Sequence, residues 1–118
     1  MTKTLFAPLV GQVFKYAQDL CICLEEDYIK RYPDSSRDKS FTVSDSGRKY
    51  YKILQPDHNS WGDSESVDAF VEKKTGNVYK PASWRAPAKH VRYNLLDESS
   101  RLVCYNRADW AGGYLYIR

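Results

Sequence analysis

Residues 66–80 limit the fold more than any other stretch. Val67, Ala69 and Val71 alternate with Asp68, Phe70 and Glu72, which is the two-residue period of a strand. Lys74-Thr75-Gly76-Asn77 follows, a turn sequence in which glycine is free to take positive φ. Val78-Tyr79-Lys80 then resumes an extended pattern, so the pair reads as a β-hairpin. Pro81 and Pro87 limit how far a regular ladder continues, because neither has a main-chain donor.

The N-terminal part has a different period. Over residues 5–31, Phe6, Leu9, Val10, Val13, Phe14, Ala17, Leu20, Cys21, Leu24 and Tyr28 recur at three- and four-residue steps, the stripe of an amphipathic helix. Pro8 is tolerated in a first turn, and Pro33 ends the helix by pushing its predecessor out of the α region. Such a stripe is ordinarily laid on a sheet; the other reading is a dimer seam. Residues 33–48 read as a polar loop, with Phe41-Thr42-Val43 a short strand or anchor within it. Lys49–Gln55 reads as a strand with Tyr51 and Ile53 on one face and Tyr50 and Leu54 on the other. Apolar groups on both faces mean a strand covered on both sides, or one whose second face binds something.

Residues 56–65 read as a second polar loop, in which Trp61 either folds over the core edge or serves as a contact residue. Ser83–Lys89 reads as irregular, His90–Leu96 as a strand or a short helical turn, the turn with Leu95 and Leu96 buried being preferred, and Asp97–Ser100 as a turn. Arg101–Arg107 alternates Leu102, Cys104 and Asn106 against Val103 and Tyr105, which predicts a strand. Tyr114–Arg118 predicts a last short strand. The 118 residues suit one domain, residues 1–118. The expected class is α+β: an N-terminal amphipathic helix packed on an antiparallel sheet of four or five strands.

The net charge of +3 says little, but its distribution says more. Residues 73–93 hold six Lys or Arg and no acid, leaving 12 basic against 15 acidic residues elsewhere. A basic patch on a slightly acidic body is an electrostatic footprint for an anionic partner. Lys73, Lys74, Lys80, Arg85, Lys89 and Arg92 are the candidate phosphate contacts. Tyr79 and Trp84, interleaved with them, are candidates to stack on unpaired bases, at about 1–3 kcal/mol each. The plainer reading makes the hairpin lysines solubilising and edge-protecting, and Trp84 a core plug.

Other chemistry has less to stand on. Cys21 and Cys23 project about 200° apart on a helix, and His58 and His90 stand alone, so no zinc spacing is present. Three cysteines cannot all pair within one chain, so reduced thiols in a cytoplasm are expected. Cys21 and Cys104 read as small apolar filler. No nucleophile sits in a strained glycine-flanked turn, and no glycine-rich phosphate loop precedes a helix. The expectation is a protein without enzymatic activity or cofactor. No stretch approaches membrane-spanning length, and no signal peptide is read.

Ser66-Val67 through Phe70-Val71, Lys74-Thr75-Gly76-Asn77-Val78-Tyr79-Lys80-Pro81-Ala82-Ser83-Trp84, and Ala86-Pro87-Ala88-Lys89-His90 together form a longer signature. It resembles one in small tailed-bacteriophage proteins of unknown activity. Ala108-Asp109-Trp110 and Gly112-Gly113-Tyr114-Leu115-Tyr116 resemble the C-termini of such proteins. The resemblance implies a phage origin and action in the cytoplasm of an infected host, and brings no catalytic residue with it. The combined expectation is a phage accessory protein that binds nucleic acid through the hairpin and the segment after it. The rival partner is an acidic host protein, an enzyme or defence factor, with Trp61, Trp84, Trp110, Tyr114 and Tyr116 as anchors. A virion or assembly part is a third reading, ranked lower because no coiled-coil seam or repeat is present.

Overall fold

Helix α1 spans Phe6–Arg31. In this computed structural model the described residues are 6–33, 40–59 and 62–116, with side-chain surroundings for 11–33, 40–55 and 66–116. Val13, Ala17, Leu20, Cys21 and Leu24 are buried, so this part of the apolar stripe is core. Each fully buried leucine stabilises by about 1.5–3 kcal/mol. Pro8 falls in the first turn, where its missing donor costs nothing. Lys30 and Arg31 lie in the last turn, where cations suit the negative end of the helix dipole. The C-terminal end is held from outside. Asp27 accepts from Arg31 at 3.0 Å and from the Trp110 amide at 3.1 Å, and the Trp110 ring meets Tyr28 and Tyr32 edge-on.

The sheet is a five-stranded antiparallel meander in the order β1 (Thr42–Ser44), β2 (Tyr50–Asn59), β3 (Gly62–Glu72), β4 (Asn77–Pro81) and β5 (Pro87–Asn94). With α1 it forms the expected α+β arrangement. One face of the sheet carries Tyr51, Ile53, Ala69, Val71, Val78 and Tyr93 into the core, where they meet α1, Cys104 and Leu115. The expected polar loop at 56–65 is instead the far end of a long hairpin, paired from Pro56↔Glu65 to Asn59↔Gly62. β1 reaches only Leu54, so Pro56 occupies an open margin where a proline is tolerated. Trp61 lies outside the described residues, as do residues 34–39 of the first loop.

The last third departs most from the sequence reading. For His90–Leu96 the strand alternative holds and the preferred helical turn does not: Pro87–Asn94 is the edge strand β5, and Pro87 opens it opposite Pro81, where neither proline is asked for a donor. Arg101–Arg107 is not a strand but most of helix α2, Glu98–Arg107. The expected turn supplies its cap, since the Asp97 side chain accepts from the Ser99 amide at 3.2 Å. Five alternating residues fit a helix equally well if Cys104 faces the core with Ala108 one turn on, while Leu102 and Val103 face solvent. Tyr114–Arg118 is not the expected strand either. Gly113–Leu115 is a single 3₁₀ turn after Gly112 at φ 83°, and residues 117–118 lie outside the described part.

Candidate functional site

Neither helix contributes to the second face of the sheet. Lys52, Phe70, Tyr79 and Val91 are successive cross-strand neighbours on β2, β3, β4 and β5, forming one row across it. Phe70 is fully buried although it points away from the helices. Its cover is local. Tyr50 meets it edge-on at 5.7 Å, Tyr79 meets Tyr50 at 6.0 Å, and Lys52 Nζ stands 5.9 Å from its ring centre. The 82–86 turn, closed by the Ala82 and Ser83 amides on the Ala86 carbonyl, brings Trp84 against the same ammonium at 4.5 Å. A cation held between two rings is stabilised by their negative faces. Lys49 adds a second cation 5.4 Å from the Tyr50 ring, 3.8 Å from Glu72.

The eight residues picked from the sequence do not form one patch. Tyr79 and Trp84 lie on this second face, Trp84 about half exposed at 48%. Arg85, next to Trp84 in the 82–86 turn, and Lys89 on β5 are exposed. Lys74 is exposed in the β3–β4 turn. Lys73 is engaged in structure: its ammonium binds the Asp45 carboxylate and the Gly47 carbonyl (2.6 Å) and sits 4.9 Å from the Tyr51 ring. Lys80 is turned to the C-terminal segment, 4.3 Å from the Tyr116 ring. Arg92 is half-buried at a bulge of β5, and its Nε finds no partner. Lys49 and Lys52, which the sequence reading did not single out, and Tyr50, which it set on a face either covered or used for binding, take the places of Lys73 and Lys80. The signal was the second face of Lys49–Gln55, already too apolar for a solvated strand.

Of the other anchors suggested for a protein partner, Tyr114 is buried and Trp110 is packed at the end of α1, while Tyr116 is 68% exposed. Burial pushes the Cys21 thiol up to about 12 and raises Cys104 and Cys23 as well, the opposite of an activated nucleophile. Among the described residues, no three His, Cys, Asp or Glu converge as a metal site, and no helix is long and apolar enough to cross a membrane.

A family model described as "Family of unknown function (DUF7717)" matches residues 5–117. No curated protein and no solved structure matches the chain.

Proposed function

The chain belongs to the family of unknown function DUF7717, and we propose that it acts by binding nucleic acid on the sheet face that neither helix covers. The observation that carries this reading is the row Lys52–Phe70–Tyr79 with Trp84 folded over it. The Lys52 ammonium lies there within contact distance of the buried Phe70 ring and the half-exposed Trp84 ring. An exposed ring such as Trp84 stacks on bases, and cations neutralise phosphates. Among the described residues, Lys52, Lys74, Arg85 and Lys89 have no ion pair, so their charge is available to a ligand. On this proposal the protein works without catalysis and without a cofactor. The resemblance of residues 66–90 and 108–116 to small tailed-phage proteins supports a phage origin and action inside an infected bacterium.

The test is fluorescence anisotropy with labelled single-stranded DNA, duplex DNA and RNA at low and near-physiological salt. Affinity that falls steeply with salt is the expected result. Replacing both Arg85 and Lys89 by Glu abolishes it while circular dichroism stays unchanged. Absence of binding at low salt overturns the proposal. The second reading, a modulator docking on an acidic host protein, draws on the exposed Trp84 and Tyr116, and predicts one protein partner with little response to nucleic acid.

A further inference from the structure

β3 and β4 are paired only at Phe70↔Tyr79 and Val71↔Val78. Beyond Phe70 the strands part, and a cleft of about 360 Å³ opens between them, walled by Ser66, Val67, Pro81, Ala82, Ser83 and Trp84. That is near the small end of ligand pockets, roughly 300–1,000 Å³, with room for a planar ring system and not for a helix. The walls are apolar: an indole, a valine, a proline and an alanine. The polar groups are two hydroxyls. Ser83 Oγ accepts from the Arg85 amide at 3.2 Å, which leaves its own hydrogen to donate. The β3 margin at Ser66 and Val67 has no ladder partner on this side, so main-chain groups there are available to a ligand edge. Cations stand at the rim: Lys52 on the Trp84 ring and Arg85 next in the chain.

Apolar faces, a polar edge and cations at the mouth match a nucleobase with its phosphates attached. We infer that this cleft receives one unpaired base of a single strand, stacked on Trp84. The inference rests on the nucleic-acid reading of the same face and narrows it. A base within a duplex has both faces covered by its neighbours and must be unpaired and flipped out to enter, whereas an unpaired base enters with little loss. The duplex therefore reaches only the cations, and the single strand reaches the cations and the cleft.

Three labelled probes of equal length separate the outcomes: a single-stranded DNA, the same sequence as a duplex, and an abasic strand with the same phosphates. The native protein is expected to bind the single strand roughly tenfold or more tightly than the abasic strand, and more tightly than the duplex. Trp84→Ala removes that difference, and Trp84→Phe restores most of it, with circular dichroism confirming the fold. Equal affinity for the three probes overturns the inference while the nucleic-acid reading stands. A difference that survives Trp84→Ala in a folded protein overturns it too. No binding of any probe at low salt overturns both.

Discussion

The Tyr114 hydroxyl donates to the Asp68 carboxylate at 2.9 Å, both residues being almost wholly shut from water. A bulge makes this contact possible. Ile53 pairs with Ala69 but Leu54 pairs with Val67, so Asp68 has no partner residue of its own, and the alternation that assigned it to the Phe70 face is interrupted there. Asp68 turns instead toward the C-terminal segment, where Gly112 and Tyr114 close over it. The Tyr93 hydroxyl donates to the Tyr114 carbonyl at 2.6 Å and Asp109 accepts from the Tyr114 amide. A sheet residue and the end of the chain are thus joined through one tyrosine.

Stability should fall as pH rises from about 4 to 7. Burial pushes the Asp68 carboxyl up to about 7, and the hydrogen bond from Tyr114 offsets only part of that. The unfolded chain releases this proton near pH 4 and the folded chain holds it to about 7. The folded form is therefore favoured below the lower value, and that advantage is lost as pH passes the higher one. At about 1.4 kcal/mol per pH unit the full effect is on the order of 4 kcal/mol. Asp68→Asn keeps an acceptor for Tyr114 and carries no charge. It should raise stability at pH 8 by about 1–3 kcal/mol and change little near pH 5, as measured by urea unfolding at both.

Lys73→Met should destabilise by about 1–2 kcal/mol, since it releases Asp45 and the Gly47 carbonyl from one charged donor. The figure is kept low because Asp45 is mostly exposed. The affected part is the 45–47 segment leading into β2, so hydrogen exchange should rise there first.

Two glycines should respond in opposite directions. Gly11 is exposed in α1 with open space where a Cβ would stand, so Gly11→Ala should stabilise by about 1 kcal/mol through helix propensity. Gly76 has φ +77°, and a Cβ there would meet the Leu96 side chain at 3.0 Å and its amide nitrogen at 3.2 Å. Its carbonyl also accepts from the Leu95 amide at 2.8 Å. Gly76→Ala should cost about 1–3 kcal/mol, because an L residue is strained in this region and has no room beside Leu96. Thermal or urea unfolding of the two variants measures both signs.

The sequence made α1 and the β3–β4 hairpin legible because their periods run long enough to be unambiguous: ten apolar positions along α1, six alternating residues in β3. The last third was misread where the signal is short. Arg101–Arg107 alternates over too few residues to exclude a helix, and the signal against a strand lay in the cap before it, Asp97 with Glu98. Pro87 read as an interruption because its place on an outer strand, where it costs nothing, is known only from the sheet order. The candidate face was half legible. Tyr79, Trp84 and Arg85 stand together in the chain and on the molecule. Lys52 reaches them only through the β2–β3–β4 register, and local charge counting over residues 73–93 cannot see a cation two strands away.

That difference gives the most discriminating charge test. For single strands the slope of log affinity against log salt is about −0.7 per phosphate neutralised. Lys52→Met should make the slope shallower by about that amount, and should also lower affinity at every salt concentration by loosening Trp84. Lys73→Met removes the same formal charge from a residue whose ammonium already has protein partners, and should leave the slope unchanged once the folded fraction is corrected for. Salt titrations of the two variants by anisotropy separate an assembled surface from a merely basic stretch of sequence. If the slope changes equally in both, binding follows net charge alone; if only Lys52 matters, the ligand is met by the Lys52 ammonium and the indole beside it.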